Sequence, residues 1–173
     1  MKKIFALLLC LVMAFAVAAC DKDGGDNGEG TKNNDKGTQK AAVSFYVDHS
    51  SAKIELGGDA KAVIEALGTP KSTSPMGNCG GQGTLTKYTY ASVAIYVLTS
   101  GDKETVDQIT LLDDSVKTPE NITIGSTKDE VIKACGSAYS KISDSSITYT
   151  SGNKNLIIQL RDGAVVGIDY RIL

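Results

Sequence analysis

Histidine occurs once in the 173 residues, at His49, inside the polar run Asp48-His49-Ser50-Ser51. That scarcity removes most routes to catalysis, because a Ser/His or Cys/His pair needs an imidazole held beside its nucleophile. One histidine with cysteines as distant as Cys79 and Cys135 also makes a poor zinc set. Asp113-Asp114 reads as a strand-end turn, and no second carboxylate stands at a spacing suited to acid–base work. A basic excess is missing too: Lys+Arg is 18 against Asp+Glu 20, a formal net charge of -2, and beyond Lys2-Lys3 the lysines are scattered singly. Nucleic acid is therefore not an expected partner. Phosphate-cradling loops are absent as well. The glycine-rich run Gly77-Asn78-Cys79-Gly80-Gly81-Gln82-Gly83 fits neither G-x-G-x-x-G nor the P-loop pattern, and it follows a helix where a strand is required. These absences predict a chain that is not an enzyme and uses no cofactor or metal.

The clearest segment present is an address. Met1-Lys2-Lys3 is a positive n-region, Ile4 to Ala19 is an uninterrupted apolar run, and small residues precede Cys20, which together match a secretory signal over 1–19. The run is short for a bilayer span, which needs about 20 apolar residues. Val17-Ala18-Ala19-Cys20 resembles the lipobox of bacterial lipoproteins. That resemblance implies acylation of Cys20, a mature chain starting there, and a membrane contact made through its lipid. Two acyl chains anchor stably where one is marginal; the competing account is an ordinary signal with a cysteine at its junction. Residues 20–42 then turn to Asp, Gly, Asn, Lys, Glu, Thr and Gln, too polar to offset the entropy of ordering, and read as a disordered tether. Its Asp21-Lys22-Asp23-Gly24-Gly25-Asp26 run fails as a calcium loop, because the twelfth position is Lys32 where a bidentate Glu is needed. Asp21 resembles an inner-membrane retention signal, meaningful only in a two-membrane cell.

The remaining 43–173 is one domain's worth of chain, and part of it is written twice. Ile54, Gly57, Val63, Ile64, Ala66 and Gly68 meet identical residues at Ile122, Gly125, Val131, Ile132, Ala134 and Gly136 without a gap. In the first copy Asp59 is placed to cap a helix through Leu67, with Ala60, Val63, Ile64 and Leu67 on one face of a 3.6-residue period. In the second, Thr127 and Glu130 form a capping box. Gly68 and Gly136 end both helices, with Pro70 soon after the first. Cys135 stands where the first copy has Leu67. A buried thiol explains it, and so does a disulfide to Cys79, which an exported domain allows.

Three strand-like runs follow each helix: Tyr88 to Ala91, Val93 to Leu98 and Val106 to Leu112, then Ser146 to Thr150, Leu156 to Leu160 and Ala164 to Ile172. Val43 to Val47 reads as an opening strand. Alternation turns Val93, Ile95, Val97, Ile109, Leu111, Leu156, Ile158, Leu160, Val166, Ile168, Tyr170 and Ile172 toward the helices, and Tyr96, Gln108, Thr110, Gln159, Asp169 and Arg171 away. The expected fold is α+β: two tandem helix-plus-three-strand repeats, about 54–114 and 122–173, forming an antiparallel sheet of about six strands with helices on one face. The stretch 69–87 is the longest loop and the place where the copies differ most.

The unit of apolar-x-apolar-Gly, short helix, Gly and strands resembles the repeat of the β-lactamase-inhibitor-protein-like superfamily, which includes small lipoproteins of the outer-membrane barrel-assembly machinery. Ala66-Leu67-Gly68-Thr69-Pro70, Tyr88-Thr89-Tyr90, Asp113-Asp114-Ser115-Val116 and Ile124-Gly125-Ser126-Thr127 are similar to a group of uncharacterised lipoproteins from Firmicutes. The resemblance implies a lipid-anchored protein on the extracytoplasmic side of the cell membrane, with a protein or peptide partner on the open sheet face. Its exposed aromatics would be Tyr96 with Tyr88 or Tyr90, flanked by Gln108, Gln159, Asp169 and Arg171. Two other roles stay open, a structural or assembly lipoprotein of the envelope and a small-ligand sensor using the 69–87 loop.

Overall fold

The computed structural model describes residues 43–77 and 83–173. The signal, Cys20, the tether and Cys79 lie outside the described residues, so the Cys79–Cys135 pairing does too. What is described is an α+β fold, mostly antiparallel sheet with two helices. Strands β1 (Tyr46–His49) and β2 (Ala52–Glu55) form a hairpin of their own. Helix α1 (Ala60–Leu67) is followed by β3 (Ser72–Met76), β4 (Thr84–Thr89), β5 (Val93–Ser100) and β6 (Lys103–Leu111). Helix α2 (Lys128–Cys135) is followed by β7 (Lys141–Ile142), β8 (Ser146–Ser151), β9 (Lys154–Arg161) and β10 (Ala164–Ile172). Their sheet has eight strands in the order β3-β4-β5-β6-β10-β9-β8-β7, so the two helix-led halves meet at the β6/β10 seam.

Each helix thus leads four strands where the sequence pattern predicts three. The added strands, β3 and β7, are the two sheet edges, and β3 occupies part of the stretch expected to be loop. Ser-Thr-Ser-Pro-Met shows no alternation because all five residues are exposed, and an edge strand tolerates proline since one side of its backbone makes no ladder bonds. The opening strand also moves, from 43–47 to Tyr46–His49, because pairing with Ala52–Glu55 fixes its ends.

The helices form for the expected local reasons. Asp59 accepts the Lys61 N–H at 2.9 Å, and Gly68 closes the helix at φ 74°, its N–H donating to Ile64 O. At α2 the Thr127 hydroxyl accepts from Glu130 N (3.3 Å) while the Glu130 carboxylate accepts from Thr127 N (2.7 Å), the reciprocal box. Those Thr127 donors hold the Glu130 carboxyl below its ordinary range. Thr127→Ala is expected to cost about 1 kcal/mol, read as a lower urea midpoint with unchanged slope.

Both helices, the β1–β2 hairpin and the connector bury their apolar residues on one face of the sheet. Val47, Ile54, Ala60, Val63, Val116, Ile122, Val131 and Cys135 share a core with Val93, Ile95, Ile109, Leu156, Ile158, Ile168 and Tyr170. Two β-bulges, in corresponding places, set the register. In β6 Asp107 is the extra residue between Val106 and Gln108, and in β10 Val166 is the extra residue between Val165 and Gly167. Each bulge turns the preceding valine inward, so Val106 is 0% and Val165 1% exposed. Val166, expected to face the helices, is 42% exposed, because strict two-residue counting loses its phase at a bulge. Just before each helix the chain joins the same spot of the neighbouring strand. Gly57 N donates to Val106 O and Val106 N to Gly58 O; likewise Gly125 N donates to Val165 O and Val165 N to Ser126 O.

Candidate functional site: the open face of the sheet

Opposite the core, the register lines up two rows of side chains across the strands. One runs Thr89, Ala94, Thr110, Asp169, Ile157, Thr148; the other Lys87, Tyr96, Gln108, Arg171, Asn155, Thr150. Five expected open-face residues, Tyr96, Gln108, Asp169, Arg171 and Gln159, lie there together, the last paired with Gly167.

Tyr88 and Tyr90 do not join them. Tyr88 pairs with Ile95, whose side chain is fully buried, and packs against the core. Tyr90 is 6% exposed, and its phenol is raised above the ordinary range first by burial and then by Tyr88. Their pattern in the sequence is ambiguous because Tyr-Thr-Tyr alternates correctly for either face. Starting β4 at Thr84 and pairing Lys87 with Tyr96 decides the phase.

The centre of the face is a hydrogen-bonded cluster spanning the β6/β10 seam. The Thr110 hydroxyl donates to Asp169 Oδ1 at 2.7 Å and Gln159 Nε2 to Asp169 Oδ2 at 2.8 Å, with a longer contact from Gln108 Nε2 at 3.5 Å. Asp169 is 6% exposed, and a buried carboxylate is tolerable when its oxygens are occupied by donors. Gly167 makes room for this arrangement. A Cβ there would stand 3.2 Å from the Gln159 amide carbon, so the missing side chain lets Gln159 lie across the bulge toward Asp169.

Around the cluster the face is cationic and aromatic. The Lys87 ammonium lies 5.4 Å from the ring centroid of half-buried Tyr96, within cation–π range. Arg171 is exposed, next to Asp107 at the β6 bulge. Burial raises the Asp107 carboxyl above its ordinary range while the Arg171 charge works the other way.

A second polar group surrounds Asp113. The Ser115 hydroxyl and N–H both donate to Asp113 Oδ1, and Ser115 Oγ lies 2.8 Å from Ser92 Oγ. These bonds hold the Asp113 carboxyl below its ordinary range, with His49 the smallest contributor. The geometry is that of an Asx turn closing the strand end, as Asp113-Asp114 suggested.

Two clefts of about 360 Å³ open elsewhere. One lies between Gly57-Gly58-Asp59 and the β5–β6 turn, the other between Glu120-Asn121-Ile122 and α2. Neither is lined by a residue of the 69–87 stretch. Among the described residues, no helix is long and apolar enough to cross a membrane.

No family model matches the sequence, and no curated protein matches it. Among solved structures, the chain is similar to a 1.5 Å crystal structure of an extracellular protein containing a SCP domain from Bacillus anthracis str. Ames, at 18% identity and a TM-score of 0.44. The match covers 72% of this chain and 47% of that one, so the chain spans about half the length of its structural neighbour.

Proposed function

We propose that this protein is a non-catalytic lipoprotein, anchored through acylated Cys20 on the extracytoplasmic side of the cell membrane, that binds a protein or peptide on the open face of its sheet. The observation that carries it is the composition of that face. Among the described residues the sheet is covered on one side only, and its other side presents an aromatic ring, two amides and charged groups at fixed cross-strand spacing on a rigid support. Helix-led halves with matching bulges and matching pre-helix hydrogen bonds support descent from a duplicated helix-and-strands module.

Two experiments test the proposal. Cys20→Ser should release the protein from the membrane fraction and abolish labelling with a fatty-acid analogue. A benzophenone amino acid placed at Tyr96 or Gln159 in intact cells should give a discrete polypeptide adduct, while the same probe at exposed Lys61 on α1 should not. Equal adducts from both faces, or none from the sheet, would remove the open face as the recognition surface.

A further inference from the structure

The open face is charged against the sign of the chain that carries it. Register places Lys87, Lys141, Arg161 and Arg171 on it, on a protein of formal net charge -2. Two carboxylates share the surface: Asp169, whose oxygens are both occupied by neighbouring donors, and Asp107 at the bulge beside Arg171. Among the described residues the ion pair within 4.0 Å is Lys128–Asp144, which is not on this face, so none of these four cations is held in a close ion pair. The exposed apolar side chains Met76 (43%) and Val166 (42%) lie on the same side.

Spacing gives the surface a reading frame. Lys87, Tyr96, Gln108 and Arg171 are neighbours on four adjacent strands, β4, β5, β6 and β10. Three inter-strand steps of about 4.8 Å put the first and last about 14 Å apart. An extended peptide advances about 3.4 Å per residue, so four residues span the same distance, and its period of two puts positions i, i+2 and i+4 on one side. Addition to a sheet edge is the poorer alternative. Edge strand β3 contains Pro75, which has no N–H to offer, and edge strand β7 is two residues long.

Resting on the open-face reading above, we propose that the partner is an acidic segment in extended conformation, with carboxylates at i and i+4 meeting Lys87 and Arg171 and an apolar residue at i+2 packing on Tyr96. It lies across the strands, and Arg161 and Lys141 raise its encounter rate. The Lys87–Tyr96 cation–π contact pre-positions the ammonium, so less side-chain entropy is lost on binding.

The test uses the whole chain in neutral detergent and a fluorescein-labelled peptide, Gly-Glu-Thr-Leu-Thr-Glu-Gly, followed by fluorescence anisotropy. Binding should weaken about tenfold or more when both glutamates become glutamine, or when one is moved to leave an i, i+3 spacing. Lys87→Glu with Arg171→Glu should abolish it, and that variant should instead bind the peptide with lysine at the two acidic positions. Tyr96→Ala should weaken the glutamate peptide without inverting its charge preference. Equal binding of glutamate and glutamine peptides, or undiminished binding to the double variant, would overturn the proposal. So would displacement of the peptide by short-chain phosphatidylglycerol, which would make the occupant an anionic lipid. If the Tyr96 probe gives a polypeptide adduct in cells while these peptides fail, the acidic motif is wrong and the open-face reading survives; if that adduct is also missing, both fall.

Discussion

Above pH 9 the reduced protein will lose stability steeply, because three buried acids must keep their protons for the core to stay closed. Cys135, the last residue of α2, is 1% exposed, and burial, helped by the negative charge of Glu120, pushes its thiol from 9.0 up to about 12. Tyr149 and Tyr170 are both fully buried, and burial carries their phenols well above the ordinary 10.0. After burial, Cys135 and then Tyr139 raise Tyr149, and Glu120 and then Cys135 raise Tyr170. The sign follows from proton binding. In each case the folded value exceeds the unfolded one, so the folded state retains a proton that the unfolded chain gives up. The stability contribution is therefore complete below the unfolded values and disappears as the pH climbs toward the folded ones. Inside its window each group removes about 1.4 kcal/mol per pH unit, a large share of the stability of an ordinary domain. Urea midpoints between about pH 8 and about pH 11 should fall in two stages, the first from the thiol and the second steeper as both phenols join. Cys135→Ala, whatever it costs at neutral pH, should erase the first stage and keep the second. A flat profile to the alkaline end would mean that these side chains reach water in the folded state.

That cluster also shows which parts of the fold can be read from residues alone. Asp59, Thr127, Glu130, Gly68 and Gly136 act on their own neighbours within one helical turn, so both helices were legible to the residue, including the capping box. The face assigned to Ile95, Ile109, Leu156, Ile158 and Ile168 was legible because each contacts the core through simple alternation. Val166 was not, since the bulge that expels it is a property of pairing between β10 and β9 and has no local marker stronger than Gly167. Strand β3 was invisible for a different reason: with every residue exposed, nothing about its composition responds to the sheet it borders. Tyr88 and Tyr90 were misplaced because the start of β4, and hence their phase, is decided by partners on β5. Of the candidate face, Tyr96, Gln108, Gln159, Asp169 and Arg171 could be grouped by alternation, but their hydrogen bonds could not. Asp169 and Thr110 are 59 positions apart in the chain and meet through the seam register.

Replacing Asp169 by alanine should be the most damaging change on the open face, by about 2–3 kcal/mol, the loss typical when a charged acceptor is taken from its donors. The size follows from where the residue sits. The β6–β10 ladder holds the two halves of the sheet together through only four paired positions, Ile168 with Leu111, Asp169 with Thr110, Tyr170 with Ile109 and Arg171 with Gln108. By contrast β9–β10, within one half, has eight. Side-chain bonds across the seam therefore form a larger share of what joins the halves than similar bonds elsewhere. Removing the carboxylate leaves the Thr110 hydroxyl and the Gln159 amide without their acceptor, and Gln159 is already held over Gly167. Asp169→Asn should lie between: its carbonyl can still accept from Thr110, while its own amide hydrogens face those of Gln159. A double-mutant cycle of Asp169→Ala with Gln159→Ala should give a coupling energy of about 1 kcal/mol or more, because the two groups share one bond. Hydrogen exchange gives the sharper readout. If the seam is what weakens, amides of β6 and β10 should lose protection before those of β8 and β9, whereas a uniform loss would assign the cost of Asp169→Ala to the whole domain rather than to the junction of its halves.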